Sequence, residues 1–115
     1  MIVRRRFEFE AAHHLPNHPG KCRELHGHSY ELVVQVERPV DEMSGMVIDF
    51  SDLKSIVRER VESRLDHVCI NDLIENPTAE RIAIWIWVEL KPALPGLQEI
   101  ELSETSHCSV IYRGE

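Results

Sequence analysis

The sequence predicts an α+β layer fold in which two helices cover one face of a four-stranded antiparallel sheet. Three observations predict it. Residues 2–13 and a second segment ending at Pro39 alternate apolar and polar side chains, the period of a half-buried strand. Residues 51–65 and the segment after Thr78 change to the period of an amphipathic helix. The elements come grouped, as strand, strand, helix, helix, strand, strand. Grouping of this kind gathers helices on one side of an antiparallel sheet.

In the first strand, Val3, Phe7, Phe9 and Ala11 point one way, while Arg4, Arg6, Glu8 and Glu10 point the other; Arg5 is the exception. Residues 14–25 hold Pro16, Asn17, Pro19 and Gly20 and read as a loop. The second strand sets Tyr30, Leu32, Val34 and Val36 on one face and Ser29, Glu31, Gln35 and Glu37 on the other. The first helix carries the stripe Leu53, Ile56, Val57, Val61 and Leu65, with Asp49 or Ser51 able to cap its start. The second begins at Thr78, has Glu80 in its first turn and carries Ile82, Ala83, Ile86 and Leu90 on one face. It stops before Pro92. Trp85 and Trp87 on that helix are expected to pack in the core or an interface rather than to bind a cofactor. Pro95-Gly96 marks a turn into a third strand with Ile100, Leu102 and Glu104 on one face; a fourth runs near Ser109–Arg113.

A chain of 115 residues is expected to form one domain, 1–115, large enough to bury a core. Its 43% apolar and 29% charged residues are ordinary for a folded protein. The net charge of −7 and the brevity of the Arg4-Arg5-Arg6 run argue against a nucleic-acid partner. The longest apolar run, Ile82 to Val88, is too short to span a membrane. An odd number of cysteines, Cys22, Cys69 and Cys108, with no recognisable signal peptide, points to a reducing, cytoplasmic setting.

Five of the seven histidines fall between His13 and His28. Side chains two apart on a strand share a face. The odd-numbered apolar face of the first strand leads to His13, and the even-numbered face of the second leads back to His28 and His26. Three neutral imidazoles suit zinc, and a three-ligand set leaves a fourth position open for water or substrate. Gly27, between two of the three, lets backbone approach closely there.

Cys22, four residues before His26 and flanked by Lys21 and Arg23, has three readings: nucleophile or base, fourth metal ligand or inert loop thiol. Spacing alone does not separate them. Asp66-His67 can be a helix-end pair or a partner that shares a proton with a cysteine. Glu104, an acid on an inward strand face, can form a salt bridge or receive a substrate rich in N–H donors.

These residues resemble a known family. The run Phe7-Glu8-Phe9-Glu10-Ala11-Ala12-His13, followed by Cys22-x-x-x-His26-Gly27-His28-Ser29-Tyr30, is similar to the 6-pyruvoyl-tetrahydropterin synthase family. So are Ile48-Asp49-Phe50, Leu53-Lys54, Leu65-Asp66-His67, Glu75-Asn76-Pro77-Thr78, Trp85-Ile86-Trp87 and Ile111-Tyr112-Arg113-Gly114. The three residues between Cys22 and His26 look like the bacterial branch that makes 6-carboxy-5,6,7,8-tetrahydropterin for queuosine. The resemblance implies one zinc per chain on His13, His26 and His28, Cys22 as proton carrier with Asp66 and His67, and Glu104 with Thr78 holding the pterin. It implies 7,8-dihydroneopterin triphosphate as substrate, with acetaldehyde and triphosphate released. It also implies the tunnelling fold, trimeric barrels stacked as a homohexamer, and a site between subunits with the Asp-His pair lent by a neighbour. Ser103 and His14 stand where relatives often carry lysine and arginine. The rival readings are a pyruvoyl-forming synthase on the same substrate, a zinc hydrolase, and a structural zinc module closed by Cys22.

Overall fold

The alternation in the first two strands is realised as a long hairpin. The computed structural model describes residues 1–115. In it β1 (Ile2–His13) and β2 (His26–Glu37) pair antiparallel over their full length, from Ile2 opposite Glu37 to His13 opposite His26. β4 (Leu97–Thr105) pairs antiparallel with β2, and β5 (Cys108–Tyr112) with β4. Phe7, Phe9, Ala11, Tyr30, Leu32, Val34, Val36, Ile100 and Leu102 are all buried on the face that meets the helices.

The sheet departs from the expected four antiparallel strands. It has five: the extra strand β3 (Val68–Cys69) runs parallel to β1 at Ala11 and Ala12, and the order is β3-β1-β2-β4-β5. Two residues are too few to show a period. They pair because the chain leaving the first helix is docked beforehand: the Glu10 N–H donates to Asp66 Oδ1, and the His67 N–H donates to the Glu10 carbonyl.

The first helix runs through residues 50–65 and is capped by Asp49, whose side chain accepts from the Ser51 N–H. Its buried residues Leu53, Val57, Val61 and Leu65 repeat every four positions. Four residues of α-helix overshoot one turn by about 40°, so over three repeats the stripe would swing by roughly 120°. The segment Arg58–Glu62 is wound as a π-helix, and the Ser63 N–H reaches back five residues to the Arg58 carbonyl. The wider turn takes back part of the overshoot, and all four side chains have 0% exposure.

The second helix (Ala79–Leu90) starts where Thr78 Oγ1 accepts from the Arg81 N–H at 3.2 Å. Ile82, Ala83, Ile86 and Leu90 face the sheet. Trp85 and Trp87 pack beside the core, Trp85 under the Arg64 guanidinium and Trp87 edge-on to Tyr112. No helix is long and apolar enough to cross a membrane.

The turn into β4 depends on Gly96. Its φ is +85°, and a Cβ there would lie 2.6 Å from the Glu37 carbonyl oxygen, a backbone atom that cannot swing away. The Gly96 carbonyl in turn accepts from the Glu37 N–H at 2.8 Å. Gly96→Ala is expected to cost about 1–3 kcal/mol, read as a lower midpoint in thermal melting; an unchanged midpoint would show that this corner gives freely.

Candidate metal centre and active site

The register of the hairpin builds the centre. His13 and His26 face each other across the last pair of the β1–β2 ladder, and His28 lies two residues further along the same face, opposite Ala11. Their ligand atoms all fall within 4.8 Å of one another. The expected convergence of three imidazoles is therefore present in a single chain.

Hydrogen bonds select the tautomers. His13 Nδ1 lies 2.8 Å from the Pro77 carbonyl, and His26 Nδ1 lies 2.8 Å from the Glu24 carbonyl. A carbonyl only accepts, so each Nδ1 carries a proton, and in the neutral ring Nε2 presents its lone pair. Those two Nε2 atoms are 3.0 Å apart. Two neutral lone pairs at this distance repel unless a cation stands between them. His28 Nε2 is buried with no hydrogen-bond partner. Zinc–nitrogen bonds of about 2.0–2.1 Å place tetrahedral donors roughly 3.3 Å apart, so small side-chain movements would seat the ion. The donor set fits zinc.

His13 is 1% exposed, and burial holds its pKa below the ordinary imidazole range. The ring is therefore neutral at neutral pH, the form that can ligate a metal. Its Nε2 lies 3.9 Å from Glu104 Oε1, and His28 Nε2 lies 3.8 Å from Glu104 Oε2. With His13 neutral, its approach to Glu104 is a polar contact, not an ion pair. The carboxylate thus stands at the edge of the donor cluster while remaining partly exposed.

The floor is Tyr30, fully buried and stacked on Phe9, with its hydroxyl 3.3 Å from His13 Nδ1. Burial raises its pKa, so the phenol stays protonated. Neither Tyr30 nor the Pro77 carbonyl was singled out for the site from sequence. Tyr30 shares the parity of His28 and was readable in principle, but a main-chain carbonyl leaves no mark on a sequence.

The remaining expected residues fall in three places. Thr78 follows Pro77 and uses its hydroxyl as the helix cap. Cys22 sits part-buried in a short turn, Lys21–Arg23, whose carbonyl at Cys22 accepts from the Leu15 N–H at 2.7 Å. Its sulfur does not belong to the metal-donor cluster. Asp66 and His67 bond to each other, Oδ1 to Nδ1, at 3.0 Å. The Glu10 N–H, and secondarily His67, hold the Asp66 carboxyl below the usual range. His67 adopts φ 60°, and its ring is 77% exposed over a shallow recess that includes Glu10, Ala12, Gly27 and Ser29 and also Ala11 and the metal donor His28. Glu10, Ala12, Gly27 and Ser29 have the strand parity opposite to that of the metal donors, while Ala11 and His28 share it. His67 is not among the grouped metal donors.

Gly27 does not play the expected part. A Cβ there would touch only the Ala11 carbonyl oxygen, at an ordinary 3.6 Å, so no close backbone approach demands glycine within the chain.

Fold and site together define a class: a small α+β protein with an open three-imidazole centre flanked by a carboxylate. Residues 2–115 match the family described as 6-pyruvoyl tetrahydropterin synthase. The chain belongs to that family, whose members are lyases, and it is an enzyme of it. A 6-carboxy-5,6,7,8-tetrahydropterin synthase of Synechocystis sp. is 44% identical over 118 residues, covering 96% of this chain and 92% of the relative. The human 6-pyruvoyl tetrahydrobiopterin synthase is 33% identical, covering 98% and 91%. Among solved structures, the 6-pyruvoyl tetrahydropterin synthase of Caenorhabditis elegans superposes with a TM-score of 0.90 at 27% identity, covering all of this chain and 96% of that one.

Proposed function

We propose that the chain is a zinc-dependent lyase that converts 7,8-dihydroneopterin triphosphate and one water to 6-carboxy-5,6,7,8-tetrahydropterin, releasing acetaldehyde and triphosphate, on a cytoplasmic route to queuosine. The observation that carries the reading is the convergence of three imidazoles beside Glu104, with no fourth protein donor in the cluster. Zinc on His13, His26 and His28 would polarise the hydroxyls of the substrate side chain. Glu104 accepts hydrogen bonds from the N–H groups of the pterin ring and so orients that side chain, with Thr78 as a second contact. Cys22 takes and returns a proton at carbon, and His67, held by Asp66, exchanges that proton with the thiol. The absence of Cys22 from the donor set counts against a structural zinc module. The three free cysteines fit a reducing compartment.

The product is assigned to the carboxy branch on the 44% identity to the Synechocystis synthase and on the short spacing from Cys22 to His26. A pyruvoyl product is the second reading, supported by the similarity to the human enzyme. Mass spectrometry of the product formed by zinc-loaded protein from dihydroneopterin triphosphate separates them. The carboxy compound with acetaldehyde is expected; a pyruvoyl product overturns the branch, and no product overturns the activity.

The working form is proposed to be a homohexamer of two trimeric barrels, residues 1–115 supplying one domain per subunit. β3 covers β1 only at Ala11 and Ala12, and β5 has no partner on its outer side. β1 and β5 run in opposite directions, so β1 of one copy can extend the sheet of the next antiparallel. The Cα radius of gyration is 15.0 Å, against about 13 Å for a compact chain of this length, as expected for a sheet that extends beyond its own helices. A neighbour would also supply the Asp66–His67 pair, as the family resemblance implies.

A further inference from the structure

We infer that Asn71 is a positioning residue for the metal ligand His13, acting through the main chain of His14. The inference rests on the zinc reading above. β3 accompanies β1 only as far as Ala12, opposite Cys69. The chain then turns away in the short helix Ile70–Asp72, and the edge of β1 would lose its partner just where His13 and His14 follow. The carboxamide of Asn71 takes over the pairing. Its Oδ1 accepts from the His14 N–H at 2.9 Å, and its Nδ2 donates to the His14 carbonyl at 2.9 Å. This is the bonding of one more ladder step, made by a side chain 57 residues away in sequence.

The orientation of the amide is unambiguous, because the peptide groups of His14 offer one donor and one acceptor and only this placement satisfies both. Cys69 Sγ lies 3.8 Å from the same Oδ1, a weak further contact. His13 is therefore fixed by three means: the ladder to His26, the Pro77 carbonyl at Nδ1, and the Asn71 clamp on the next residue. Partners that orient a ligand are part of a metal site, and their loss typically lowers metal affinity by about 10- to 100-fold. Without the clamp the end of β1 frays, and zinc must order it on binding.

Zinc affinity of the metal-free protein, measured by competition with a chromogenic chelator, tests this in wild type, Asn71→Ala and Asn71→Asp, alongside thermal melting of each metal-free form. The alanine removes both bonds. The aspartate keeps the shape and the acceptor for the His14 N–H but sets a carboxylate oxygen against the His14 carbonyl. Both variants are expected to bind zinc about 10- to 100-fold more weakly. Should the alanine variant not fold, the near-isosteric aspartate decides by itself. A folded variant that melts lower yet binds zinc with wild-type affinity would make Asn71 merely structural and overturn the inference. Wild-type protein that binds no zinc would instead overturn the metal reading, and this inference with it.

Discussion

His26→Ala should give a folded protein that has lost most of its zinc. His26 is the right member of the triad to remove. It lies at the start of β2, only partly buried, and its ring rests on the Glu24 carbonyl rather than in the core. Truncating His13 would open a cavity in the interior as well and confuse the result. Removing a donor atom should exceed the roughly 10- to 100-fold loss seen when only an outer partner is removed. Elemental analysis after dialysis, with circular dichroism as a check on folding, measures it. A variant that keeps a full equivalent of zinc would show that the ion sits elsewhere.

Cys22→Ala should do the reverse, keeping zinc and fold while losing turnover. A positioned acid–base group contributes about a hundred- to ten-thousand-fold. His67→Ala should lose a similar factor, because the two groups are proposed to hand over one proton. The double variant should then be little worse than either single one, since groups that act as a unit are not additive. A fourth-ligand role for Cys22 predicts a different pattern, with zinc binding and stability falling together. Wild-type turnover in the Cys22→Ala protein would remove the thiol from the chemistry. Full turnover in His67→Ala with a slow Cys22→Ala would leave the thiol but discard its partner.

The parts legible in the sequence were those set by a local period or a local cap. Phe7, Phe9 and Ala11 lead to His13 on one face, and Tyr30 leads back to His28 and His26, because side chains alternate along any strand. Asp49 and Thr78 are short polar residues ahead of apolar stripes and cap their helices as expected. What was not legible depends on contacts distant in sequence. β3 has no period of its own and exists because Asp66 and His67 dock on Glu10. The tautomer of His13 depends on a main-chain carbonyl 64 residues away. His67 adopts φ 60°, a left-handed backbone that histidine reaches more often than most residues but that nothing in the sequence fixes at this position. Gly27 shows the opposite error: a glycine between two ligands suggested crowding, and a Cβ there would make only an ordinary contact with the Ala11 carbonyl oxygen.

The wide turn at Arg58–Glu62 has a consequence for how this chain lines up with its relatives. A π-helical turn of this kind accommodates one residue more than an α-helical path between the same two ends. Relatives that wind this helix as α throughout should be one residue shorter inside it, at a point where gaps are ordinarily assumed not to occur. An alignment that moves the missing residue into a neighbouring loop would shift every position between the two by one. Such a shift would set Leu65 against a solvent-facing neighbour and displace Asp66 and His67 from their counterparts. Where a relative winds this helix as α throughout, the length difference belongs between residues 58 and 62, inside the helix.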